Sequence, residues 1–259
     1  MDWREAGAAW GRRAAEWAYL MEPYARAANE RVFDELGVGS GVRLLDVACG
    51  SGYACSVAAQ RGAAVSGVDA SQNLIHIAQS RTPDATFVVG DMFELPFPDG
   101  SFDVVTSFNG IWAGCEAALV EVCRVLRPGG RFGMTFWGSP KRLGLLPYFM
   151  TVATMSPPSH AQATVTQGGT GRPGTVEAML ETAGLRLDSR GSVTVWAEWP
   201  DLDIAVRALA ASGPSQPAIA HSGMDQFAAQ LRNALAPLED DDIGLRLSNE
   251  FGYITSTRP

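Results

Sequence analysis

The residues of this 259-residue chain best equipped for ligand chemistry are a glycine turn, Cys49-Gly50-Ser51-Gly52, and an aspartate, Asp69, nineteen positions after Gly50. An apolar run from Val42 to Val47 leads into the turn and reads as a strand buried on both faces. Gly50 and Gly52 have no Cβ, so the backbone there reaches positive φ and a ligand can approach it closely. Ser51 is the expected N-cap of a helix over about Gly52 to Gln60. Ala64 to Val68 reads as a second buried strand, with Asp69 at its carboxyl end. Parallel sheets bind ligands at the carboxyl ends of their strands, so turn and carboxylate share one crevice. A carboxylate in that place can accept both hydroxyls of a ribose. The stretch therefore predicts a cofactor that contains a nucleoside.

A dinucleotide fingerprint fits poorly, because G-S-G-Y-A-C puts Cys55 where a third glycine or alanine belongs. Read from Asp46, the stretch is D-V-A-C-G-S-G. It resembles motif I of the class I S-adenosylmethionine-dependent methyltransferases, acid-x-G-x-G-x-G, with Ala48 at the first glycine. The segment LPFPDGSFDVV, residues 95–105, is similar to the same segment of the menaquinone- and ubiquinone-biosynthesis type and related small-molecule methyltransferases. The turn Arg127-Pro128-Gly129-Gly130 is a further marker of that family. The likeness is strong over about residues 40–138 and extends to the end by element order. It implies an α/β fold, a Rossmann-like seven-stranded, mostly parallel sheet with helices on both faces, N-terminal helices and a helical insertion. The last strand should run antiparallel between the fifth and the sixth. It also implies S-adenosyl-L-methionine as cofactor. Asp46, Ala48, Cys49, Gly50 and Gly52 would form its turn, with Asp69, Ala70 and Ser71 at the ribose. Asp91 and Met92 would meet the adenine, and Asn109 the methionine part.

In-line transfer from a sulfonium needs alignment and exclusion of water more than a dedicated base. Trp112 follows the fourth strand and Trp137 ends the fifth, and Tyr148 and Phe149 come shortly after. These aromatic side chains are expected to wall the acceptor site, which favours a small hydrophobic, cyclic or aromatic metabolite. If the acceptor is a hydroxyl, His160 and His221 are the candidate bases. Three alternatives belong to other classes: a nicotinamide-dependent oxidoreductase, a methyltransferase acting on protein or RNA, and a non-catalytic cofactor-binding subunit. The net charge of −8, with the N-terminal arginines interleaved by glutamates, argues against a nucleic-acid partner. The four cysteines form no C-x-x-C pair, so no metal site is expected. No segment reads as a signal peptide or a membrane span, so a cytoplasmic protein without a membrane partner is expected. A homodimer using the helical insertion is compatible with the sequence.

The elements that must position these residues follow from periodicity. Residues 1–38 form an N-terminal helical flap, two helices broken near Pro23, with Trp3, Trp10 and Trp17 on one face. Residues 40–138 are the cofactor-binding core, and 139–174 a lid or substrate loop rich in proline and glycine. Strands are expected at Thr86–Val89, from Ser101, at Arg131–Trp137, Val193–Trp199 and Glu250–Thr257. Helices at Leu202–Ala211 and Phe227–Leu238 make an insertion over 201–238. The whole of 1–259 reads as a single domain.

Overall fold

The computed structural model describes residues 2–158 and 168–259. The N-terminal segment holds α1 (Trp3–Gly11), α2 (Ala14–Glu16) and α3 (Arg26–Leu36). The alternating part follows: β1 (Arg43–Val47), α4 (Tyr53–Gln60), β2 (Ala64–Asp69), α5 (Gln72–Arg81), β3 (Thr86–Val89), β4 (Phe102–Phe108), α6 (Glu116–Val125) and β5 (Leu126–Trp137). Beyond it come α7 (Leu146–Met155), α8 (Thr175–Thr182), β6 (Arg186–Trp199), α9 (Leu202–Ala210), α10 (Ser215–Ser222), α11 (Met224–Leu235), β7 (Glu239–Asp240) and β8 (Gly244–Thr257).

The strands form one sheet in the order β3-β2-β1-β4-β5-β8-β6, with the two-residue β7 paired to β8. β1 lies parallel between β2 and β4, so successive connections leave it in opposite directions. Such a reversal opens a crevice at the carboxyl ends of the strands, and the glycine turn sits there. β8 is antiparallel to both β5 and β6, as expected of the last strand. Both faces are covered. Leu45, Val47, Val105 and Phe132 pack with Leu119 and Val122 of α6 and Leu180 of α8. Leu44 and Val104, one residue out of phase, face Phe33 of α3, Val57 of α4 and Ile75 of α5. A further apolar cluster joins α7 to the insertion through Tyr148, Val152, Leu209, Phe227 and Leu231.

Three expectations change. The N-terminal segment has more breaks than one. Arg13 leaves helical geometry, Trp17–Met21 is a π-turn, and Glu22–Ala25 is a 3-10 turn carrying Pro23. Trp3, Trp10 and Trp17 therefore do not share one helix, although Trp10 and Trp17 meet edge to face at 4.7 Å. β6 and β8 begin earlier than expected, at Arg186 and Gly244, because each supplies the other's ladder along its whole length. α10 was not expected: Pro217 breaks its pattern, yet a proline in the first turn loses no helical hydrogen bond.

Candidate active site

The glycine turn follows β1 in a run of left-handed backbone. Ala48 has φ 57°, Gly50 58° and Gly52 71°. The two glycines serve different ends. A Cβ on Gly52 would press on Ala78 of α5, so its absence lets α4 and α5 pack. A Cβ on Gly50 would run into the carboxylate of Glu22. Ser51 does not cap α4, which starts at Tyr53 with Gly52 as its N-cap and no side-chain bond. Its hydroxyl instead donates to Glu22 and accepts from Arg81 Nη1 at 2.5 Å.

Asp69 binds the turn to the second strand. Gly50 N–H donates to its Oδ2 at 2.9 Å, and Ser71 N–H to its Oδ1 at 2.8 Å. Each carboxylate oxygen has a second lone pair free of these bonds. Burial pushes its carboxyl upward, opposed by the two backbone N–H groups. Ser71 caps α5 through Leu74 N–H. Asp46, by contrast, is buried beneath the turn, 2 % exposed. It accepts from Thr106 Oγ1 at 2.7 Å and from Cys55 Sγ at 3.8 Å, and burial pushes its carboxyl up to about 7. It shapes the turn from below. Cys49, also buried, lies against Cys55 and Gly67. Asp91 accepts from Phe93 N–H at 2.9 Å in a tight turn, and Met92 packs against the buried cluster on the α6 side of the sheet.

Asn109 ends β4 with φ 55°, and its N–H reaches Thr135 O at 3.1 Å. Its Oδ1 is buried without a hydrogen-bond partner. The next residue, Gly110, is packed so close to Ala48 that a Cβ there would overlap the alanine methyl. β4's end and the glycine turn are thus in contact.

Three of the four aromatic residues expected at the acceptor site gather near the end of β5. Trp137 stacks on Tyr24 at 6.4 Å and meets Phe149 and Phe251 edge to face at 4.9 and 4.7 Å. Tyr148 lies 5.0 Å from Phe149 and sends its hydroxyl to Ser212 at 2.5 Å and Ser215 at 3.2 Å. Trp112 is elsewhere, against the cluster on the α6 side. His221 is exposed in the last turn of α10. His160 lies outside the described residues. The first part of the expected lid is tied down: Leu143 bridges to Asn249, and Leu145 N–H donates to Asn249 Oδ1 at 3.0 Å.

Residues 45–134 match the methyltransferase domain family model. Within the matched residues lie the glycine turn, Asp69, Asp91 and Asn109. The demethylmenaquinone methyltransferase of Beutenbergia cavernae is 40% identical over 109 residues, 41% of this chain and 45% of that one. The chain thus spans about half the length of the relatives it matches. Among solved structures, the geranyl diphosphate C-methyltransferase of Streptomyces coelicolor A3(2), in complex with Mg2+, geranyl-S-thiolodiphosphate and S-adenosyl-L-homocysteine, aligns over 90% of this chain and 76% of its own. Its TM-score is 0.53 at 18% identity. The [4+2]-cyclase SpnF aligns over 91% of this chain and 82% of its own, with TM-score 0.57 and 21% identity. These likenesses establish the fold.

The residues around the turn fit a nucleoside-containing cofactor such as S-adenosyl-L-methionine. Asp69 keeps acceptor capacity, the Cβ-free side of Gly50 faces the side chains of Glu22 and Trp17, and the orphaned Asn109 Oδ1 lacks the donor that a ligand would supply. The sequence reading missed the N-terminal contribution. α1 lies on the strand end through Gly7, against Ala70, and Gly11, against Ser71 Oγ. Glu22 reaches into the turn, where Ser51 N–H and Trp17 Nε1–H each donate to it at 2.8 Å, and Arg81 pairs with it at 3.2 Å. The glycines four apart were a visible sign of close helix approach; Glu22 carried no local sign at all.

Proposed function

We propose that the protein transfers the methyl group of S-adenosyl-L-methionine to a small hydrophobic or aromatic metabolite. The observation that carries this reading is the hydrogen bond from Gly50 N–H to Asp69 Oδ2 at the reversal of strand order. It fuses the turn and the acid into one cofactor-shaped unit. Asp69 would hold the ribose hydroxyls, with Ala70 and Ser71 beside it. Asp91 and Met92 would border the base, and Asn109 Oδ1 would accept from the methionine part. The bound cofactor supplies an electrophilic methyl on a sulfonium. The chain's part is to orient the acceptor and keep water out, which the wall of Tyr24, Trp137 and Phe149 suits.

Residues 1–38 as a flap, 40–138 as the core, 139–174 as a lid or substrate loop, 201–238 as a helical insertion and a cytoplasmic location belong to the same proposal. Among the described residues no helix is long and apolar enough to cross a membrane. Calorimetry with S-adenosylhomocysteine tests the site. Asp69→Ala should bind at least tenfold more weakly, since a charge-assisted hydrogen bond contributes about 1.5–3 kcal/mol. Unchanged affinity in the folded variant overturns the assignment. Labelled S-adenosylmethionine with metabolite extracts, demethylmenaquinone included because matched relatives are named for it, tests turnover. Binding with no label transferred would point to a non-transferring role on this fold.

A further inference from the structure

The N-terminal segment does more than cover the crevice. Glu22 stands 29 residues before Ser51, yet its carboxylate sits inside the glycine turn. Oε1 accepts from Ser51 N–H and from Trp17 Nε1–H; Oε2 accepts from the Ser51 hydroxyl and pairs with Arg81. Arg81 in turn donates to Ser51 O at 2.9 Å and to Ala18 O at 3.1 Å, which fastens α5, the turn and the N-terminal segment together. The ion pair is largely buried, with side-chain exposures of 17% for Arg81 and 10% for Glu22. Glu22 Oε1 fills the space that the missing Cβ of Gly50 leaves open. That space is what a glycine offers to a ligand approaching the backbone. One group at a time can use it.

We propose that Glu22 is an internal stand-in for the cofactor, filling the open face of Gly50 until the cofactor displaces it. This rests on the cofactor reading given above. The carboxylate is fully served by donors where it lies, so it is seated in the turn rather than waiting for a cation from a ligand. Two residues on, Tyr24 stacks on Trp137 at the acceptor wall. The 3-10 turn Glu22–Ala25 carries both groups, so expelling Glu22 also shifts one side of that wall. Cofactor binding thereby prepares the acceptor site, and the cofactor binds first.

The test uses S-adenosylhomocysteine as probe. In hydrogen exchange of the wild-type chain, peptides covering residues 17–25 should exchange faster when the probe is bound, while the strand ends slow. Calorimetry of Glu22→Ala should show the probe binding at least fivefold tighter than to wild type. Glu22→Gln keeps the shape and most hydrogen bonds, so it serves if the alanine variant does not fold, and it should bind more tightly than wild type by a smaller factor. Slower exchange over 17–25 on binding, or affinity in either folded variant that is equal or weaker, would overturn the proposal; weaker affinity would make Glu22 a direct ligand instead. If the probe binds wild type and variants equally, only the role of Glu22 fails. If it binds none of them, the cofactor reading fails and takes this inference with it.

Discussion

Asp46 is the acid with which the family-like motif begins, and in the fold it is a buried group rather than an exposed ligand. Its carboxyl is pushed up to about 7 by burial, against an ordinary value near 3.8. The folded state therefore holds a proton that the unfolded state releases. Its contribution to stability is full below the unfolded value, declines as pH rises through the interval, and is gone above about 7. Asp46→Asn should match the wild type near pH 4 and exceed it at pH 8 by roughly 2–4 kcal/mol, as read from urea melts across pH. Parallel curves for the two proteins would show that Asp46 is ionised in the fold. Beside it, Ala48 bears left-handed backbone that costs a non-glycine residue about 1–2 kcal/mol. Ala48→Gly should raise stability by about 0.5–1 kcal/mol once glycine's extra unfolded freedom is set against that strain. The positions of Asp69 and Asn109 at strand ends were legible, because strand period and turn residues locate them. The inward turn of Asp46 was not, because a motif letter does not tell which face of the strand it occupies.

At the scale of elements, local signals and tertiary pairing divide the outcome. β1, β2, β3 and the stop of α6 before Arg127-Pro128 were readable from apolar runs and breakers. The early half of β6 was not, since Arg186–Ser192 is largely polar and is a strand only because β8 offers a ladder. In β8 the signal existed: Leu245 and Leu247 point inward while Arg246 and Ser248 are exposed, but the neighbouring acidic turn masked it. α1 makes the sharper case. It approaches the strand-end residues Ala70 and Ser71 through two glycines, and a side chain at Gly7 would strike the Ala70 carbonyl. Gly7→Val should lift α1 and lower stability by about 1–3 kcal/mol. The melting temperature measures this, and exchange protection of residues 69–71 should fall with it. A variant with unchanged melting temperature would mean that α1 is not seated there in solution.

For the whole molecule, the sheet carries two flanking cores, and the insertion with α7 forms a third that meets the sheet through Trp199 and Leu247. Composition and length announced one α/β body, but not that a separate cluster would buttress the carboxyl end of β5. Phe227 and Leu231 are fully buried in that cluster. Leu231→Ala should cost about 2–5 kcal/mol, measured by denaturant unfolding. The strand order carries a consequence for how the chain is made. β6 leaves synthesis with no partner beside it, because β8, which alone joins it to β5, is separated from it by α9, α10, α11 and β7. On the ribosome, the parallel half can assemble while β6 remains a long unpaired edge, the kind of surface that recruits other strands. The closing pairing spans large sequence separations, so it is expected to be the slow step of folding. Nascent chains arrested before residue 244 should therefore be the ones that chaperones hold, and release should coincide with the arrival of β8.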